Sequence, residues 1–144
     1  PRQIALEITE RGFADPQRTA PIVEQFHRAG HPIYIDDFGT GYSSLNYLKQ
    51  MPMDSIKIDK SFLSGMLENR ADGQIITSII AMMHQLELQV VAEGVETTQQ
   101  LEFLRQHGCD MAQGYLIARP IPQAELLGYI EQHFTQGVWH PQQP

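Results

Sequence analysis

The chain is short of several things, and each shortage narrows its function. It holds one cysteine, Cys109, so no disulfide can close within it, and the surrounding "HGCDMAQ" offers no second thiol for a zinc site. No apolar run reaches 18 residues, so no segment reads as a membrane span, and no secretory leader is visible. Basic residues are few: 10 Lys and Arg against 17 Asp and Glu give a formal net charge of -7. That balance argues against a basic surface for polymeric nucleic acid or anionic lipid. No Gly-x-Gly-x-x-Gly follows the first strand-like run, and no lysine-bearing phosphate loop occurs, so the dinucleotide and Walker classes have no support. A reducing, cytoplasmic setting is expected, with Cys109 a small apolar filler. This segment offers no membrane contact, and any anchor would belong to a longer parent.

What remains is a 144-residue chain with 42% hydrophobic content, enough for one ordinary core. It begins with proline and runs at once into a strand, as a piece of a longer protein would. Strands are predicted at 4–8, 32–36, 54–59, 89–93 and, more weakly, 111–117. Helices are predicted at 16–30, 42–51, 73–88, 97–108 and 122–134. A polar tail over 135–144 is expected to fray, with Trp139 its one docking side chain. Strand then helix, five times over, predicts an α/β fold with a parallel sheet.

Polar groups gather at the strand ends. Glu7 and Glu10 close the first strand, Asp36 and Asp37 the second, Lys57 and Asp59 the third, and Glu93 and Glu96 the fourth; Gln113 lies in the fifth. In a barrel of strands and helices, that rim builds the active site. Asp54, Asp59 and Glu96 also read as ordinary caps or loop residues. Asp36 and Asp37 are harder to explain, because successive side chains on a strand point to opposite faces and like charges repel. Asp36, Asp37, Glu7 and Glu93 share one rim with Lys57; four crowded carboxylates need cations, and an all-oxygen set favours Mg²⁺ or Mn²⁺.

"LEITE", "DDFGTGYSSLNYL", "IKIDKSF", "VVAEGVE" and "GCDMAQGYLIARPIP" together resemble the EAL domain family of cyclic-di-GMP phosphodiesterases, from about residue 4 to 134. The resemblance implies a partial TIM-type (β/α) barrel, the five C-terminal strand-helix units of an EAL barrel, with 1–134 the domain portion and 135–144 the tail. It implies hydrolysis of cyclic-di-GMP to linear pGpG by two-metal-assisted water attack. Glu7, Asp36 and Asp37 would be metal ligands, Asp36 bridging two cations. Lys57 and Glu93 would be catalytic. Glu10, Phe38, Gly39, Thr40, Gly41, Glu96 and Gln113 would anchor loops or support the site, and no substrate-binding residue is assigned. Mg²⁺ or Mn²⁺ would serve, Ca²⁺ would inhibit, and the complete domain would be a homodimer.

A full barrel takes roughly 250 residues. The family's Glu-Ala-Leu strand and the strand with its metal-ligand asparagine have no counterpart here. "EFL" at 102–104 and "ELL" at 125–127 fall in helices and do not replace them. These 144 residues alone are therefore expected to be inactive. The alternative is part of a degenerate EAL domain that senses the dinucleotide or contacts a protein.

Overall fold

The computed structural model describes residues 2–13, 15–39, 48, 51–135 and 138–139. Its framework is a parallel sheet of β1 (Leu6–Thr9), β2 (Ile33–Phe38), β3 (Ser55–Ile58), β4 (Gln89–Glu93) and β5 (Met111–Gln113), in that spatial order. β3 is central, and β1 and β5 are its two edges. The helices are α1 (Pro16–Arg28), α2 (Lys60–Leu63), α3 (Arg70–Gln85), α4 (Thr98–Gln106) and α5 (Gln123–His133).

Local chemistry sets each start and stop. Asp15 caps α1 by accepting from the Arg18 N–H, and Pro16 sits in the first turn, where its missing donor costs nothing. Asn69 caps α3 by accepting from the Ala71 N–H at 2.9 Å. Thr97 and Gln100 form a reciprocal capping box on α4. α3 ends where Glu87 turns left-handed at φ 61° and the Leu88 N–H bonds back to the Met83 carbonyl.

One face of the sheet is apolar. Ile33, Ile35, Ile56, Ile58, Val90 and Ala92 are buried in one cluster with Val23 of α1, Ile76, Ile80 and Met83 of α3, and Leu104 of α4. The intervening residues Glu7, Tyr34, Asp36, Lys57 and Glu93 point to the other face. α5 contributes no buried residue, and its Leu126, Leu127 and Ile130 are exposed.

Several predicted boundaries move. α3 begins three residues earlier, because Asn69 caps it and Gly73 packs inside it, its would-be Cβ 3.0 Å from the Met66 carbonyl oxygen. β5 stops at Gln113 and not at 117. A Cβ on Gly114 would lie 2.1 Å from the Val95 carbonyl oxygen, and the Ile117 and Ala118 N–H groups bond the Gly114 carbonyl, which turns the chain. Of the helix expected over 42–51, Leu48 is helical, Met51 is in a bend, and the rest lie outside the described residues. Part of the expected polar tail pairs in a two-stranded antiparallel ladder, Phe134 with Trp139 and Thr135 with Val138.

Candidate active site

Lys57 lies near the C-terminal end of the central strand, and its side chain is only 7% exposed. Its Nζ donates to Glu93 Oε1 at 2.8 Å, Glu7 Oε2 at 2.9 Å and Asp36 Oδ1 at 3.0 Å. All three ammonium protons are thereby used, on carboxylates from β1, β2 and β4. Burial, the largest single influence on Lys57, would lower its pKa, but the hydrogen bonds from Glu93, Glu7 and Asp36 and the charge of Glu93 outweigh it, so the ammonium is held above the ordinary lysine range.

The adjacent aspartates are reconciled by a β-bulge. Ile35 pairs with Ile56 and Phe38 pairs with Ile58, so Asp36 and Asp37 together face Lys57 alone. Asp37 takes the left-handed conformation at φ 55°. The extra residue returns Phe38 to the core side with Ile33 and Ile35, while both carboxylates stay on the rim. Carboxylate oxygens of Asp36, Asp37 and Glu93 lie within 4.8 Å of one another. Four carboxylates around one lysine leave excess negative charge, and three converging carboxylate oxygens suit a hard divalent cation.

The other predicted site residues spread around this centre. Glu7 reaches Lys57 and is not in the trio of converging oxygens. Gln113 is in register with Glu93, and its carbonyl accepts from the Val95 N–H at 3.0 Å. Glu96 is exposed, and its N–H donates to Gln100 Oε1. Phe38 is a core residue. Gly39 follows at φ 94°. Glu10 opens a 3-10 turn after β1; its side chain, with Thr40 and Gly41, lies outside the described residues. Asp59 caps α2, accepting from the Ser61 N–H at 2.9 Å; hydrogen bonds from Ser61, its side chain first and its N–H second, hold the carboxyl below the ordinary range.

Asp54 is more than a solvated loop residue. It accepts from the Ile33 N–H at 2.8 Å and lies 3.8 Å from His27 Nε2. Asp110, which the sequence reading passed over, does the same for β4, bonding the Val90 N–H and His84 Nε2, each at 2.8 Å. Both tie together the opposite, N-terminal ends of the strands. Gly94 and Gly114 were also missed. Gly94, at φ 71°, turns the chain against Lys60 directly after Glu93, and Gly114 brings the loop after β5 onto the Val95 backbone. A glycine directly after each strand-end acid or amide, "EG" and "QG", was the available signal.

The EAL domain profile matches residues 1–120. The chain belongs to the EAL domain family. It is 52% identical over 133 residues to the "Probable cyclic di-GMP phosphodiesterase PdeB" of Escherichia coli K12, which covers 92% of this chain and 25% of that protein. The solved "PaMucR Phosphodiesterase, c-di-GMP complex" superposes with a TM-score of 0.82 at 44% identity, covering 88% of this chain and 51% of that one. The Klebsiella pneumoniae BlrP1 calcium/cy-diGMP complex superposes at 0.76 with 32% identity, covering 83% and 31%. The chain thus spans about a quarter or less of the curated relatives' length and about half or less of these solved EAL chains. "EFL" and "ELL" lie in α4 and α5, so neither stands in for the signature strand. No helix among the described residues is long and apolar enough to cross a membrane.

Proposed function

We propose that this chain is part of a phosphodiesterase domain that hydrolyses cyclic-di-GMP to linear pGpG. The observation that carries the reading is the buried Lys57 ammonium ringed by Glu7, Asp36 and Glu93, beside the Asp36–Asp37–Glu93 trio. The names of the E. coli and MucR relatives support the substrate.

The donor set fits Mg²⁺ or Mn²⁺, and the calcium complex of the BlrP1 relative supports a divalent-cation site. A cation there supplies Lewis-acid polarisation of a phosphodiester and acidifies water. Asp36, Asp37 and Glu93 would hold it, with Glu7 and the family's absent glutamate and asparagine completing a two-metal set. Lys57 stays protonated, so it does not serve as the base. It holds Glu7, Asp36 and Glu93 in place and offsets negative charge as water adds to phosphorus. As the new P–O bond forms the P–O3′ bond breaks; the water proton passes to a carboxylate, and that carboxylic acid, directly or through solvent, returns a proton to the departing 3′ oxygen, so no net proton is gained or lost. Glu93, hydrogen-bonded to Lys57, is the carboxylate placed to accept the water proton.

Residues 1–144 alone are inactive on this reading, because the signature strand is lacking and, among the described residues, no further strand pairs with either edge of the sheet. The complete domain forms a homodimer, and Ca²⁺ supports binding without turnover. The test is pGpG release by the full-length parent in Mg²⁺, Mn²⁺, Ca²⁺ and chelator, beside Asp36→Asn. Loss of turnover in chelator and in Asp36→Asn is expected. Full activity in chelator overturns the cation assignment. Dinucleotide binding without turnover in any metal favours the sensor alternative.

A further inference from the structure

The single-turn helix α2 stands between the two walls of the carboxylate cluster. It follows β3 directly and starts at the Asp59 cap, where the Asp59 carbonyl also accepts from the Phe62 N–H at 3.1 Å. On one side the Phe62 ring lies against Gly39, just after the Asp36–Asp37 bulge. A Cβ there would sit 2.7 Å from Phe62 Cζ and 2.9 Å from Cε2. On the other side Lys60 lies against Gly94, directly after Glu93, where a Cβ would sit 2.4 Å from Lys60 Cβ. Both glycines are left-handed, at φ 94° and 71°. Below, the Leu63 carbonyl accepts from Gln100 Nε2 at 3.3 Å, which ties α2 to the α4 cap.

We infer that α2 is a spacer whose residues Phe62 and Lys60 press on Gly39 and Gly94 and so set the distance of Asp36 and Asp37 from Glu93, which makes Phe62 a positioning residue for the cation cradle. The inference rests on the cation reading above. Gly39 is three residues from Asp36, and Gly94 is bonded to Glu93. Neither loop can move toward α2 without collision, because backbone meets side chain with no Cβ between them. Lys57, bonded to both Asp36 and Glu93, draws the two acid-bearing strand ends together, and α2 limits how closely the loops that follow them can approach.

The test uses the full-length parent and measures Mn²⁺ binding directly, by electron paramagnetic resonance of free Mn²⁺ and by calorimetry, without nucleotide. Phe62→Ala should weaken Mn²⁺ binding by about 10–100-fold, the range for a residue that holds a metal ligand in place. Phe62→Leu, which keeps apolar bulk, should retain most of it and guards against a folding failure. Gly39→Ala and Gly94→Ala should weaken it too. In the Phe62→Ala background Gly39→Ala should cost less than it does alone, because the ring it collides with is gone. Leu101→Ala trims another partly buried side chain, one that is not among the atoms nearest a Cβ at either glycine; it should lower the melting temperature and leave Mn²⁺ affinity within about twofold. Wild-type Mn²⁺ affinity in a folded Phe62→Ala protein overturns the inference, and so does an equal loss in Leu101→Ala. Absence of saturable Mn²⁺ binding in the unmodified protein overturns the cation reading itself, which separates the two failures.

Discussion

Lys57 Nζ and Glu93 Oε1 lie 2.8 Å apart across the adjacent parallel strands β3 and β4. The lysine is cationic, buried and fully hydrogen-bonded, so its removal leaves carboxylates facing one another with no cation between them. In the full-length parent, Lys57→Ala should lower kcat by about 10²–10³-fold, as loss of a preorganised electrostatic donor does. Dinucleotide affinity, titrated in Ca²⁺, should change far less. If affinity collapses while turnover at saturation survives, Lys57 is a substrate clamp instead.

The raised Lys57 pKa makes a pH prediction of definite sign. A group whose folded pKa exceeds its unfolded value contributes stability that is complete below the unfolded pKa and disappears as pH rises through the folded one. For Lys57 that loss begins above about 10.4, the free-lysine value, and ends higher still. The pH–rate profile of the parent should therefore show no lysine limb between pH 6 and 10. A fall in kcat near pH 8 or 9 that vanishes in Lys57→Arg would contradict the assignment.

Asp37 separates stability from function. Its left-handed backbone costs an L-residue about 1–2 kcal/mol, which glycine avoids at some entropic expense. Asp37→Gly should melt at the same temperature or slightly higher, yet lose most Mn²⁺ binding and turnover. Asp37→Asn should match its loss of activity without the gain in stability. A marked drop in melting temperature for Asp37→Gly would mean that the carboxylate is structural.

Much of this was readable in the sequence, and what was missed shares a cause. The Ile and Val runs marked the strands because these side chains fill a sheet covered by helices. The acids at their ends marked the rim. "IYIDDF" even carries the bulge, since its buried residues fall at 33, 35 and 38 and break the period of two. Reading that as a bulge required the β3 register, which is a pairing across 20 residues. The shortened β5, the α2 spacer and the Asp110–His84 pair depend likewise on contacts between loops distant in sequence. Gly73 was read as the first residue of a helix and is instead an interior packing position against Met66 and Phe103.

Gly114 should tolerate no side chain. Its would-be Cβ meets the Val95 backbone at 2.1 and 2.3 Å, and backbone cannot rotate away as a side chain can. Gly114→Ala should destabilise the parent domain by about 2–3 kcal/mol or more, at the upper end of overpacking effects. Thermal melting measures this, and an unchanged midpoint would refute the contact.

Cys109 is inert on the same physical grounds. Burial pushes its thiol up to about 11, only partly offset by its backbone hydrogen bond at Met111. Native protein at pH 8 should react with iodoacetamide at least tenfold more slowly than urea-unfolded protein, because little thiolate is present. Mass spectrometry over a time course decides it, and equal rates would place the thiol at the surface.

The bulge also acts as a proofreader. A strand of strict alternation that slips by two residues keeps its apolar side on the core and changes only its pairing partners. β2 cannot slip so cheaply, since any shifted frame sets one of its two adjoining aspartates against Ile76 and Ile80 or strands Phe38 in water. The residues that make the site thus also make a mispaired chain easy to reject, and a mutation that softened the Asp36–Asp37 pair would cost fidelity of assembly as well as turnover.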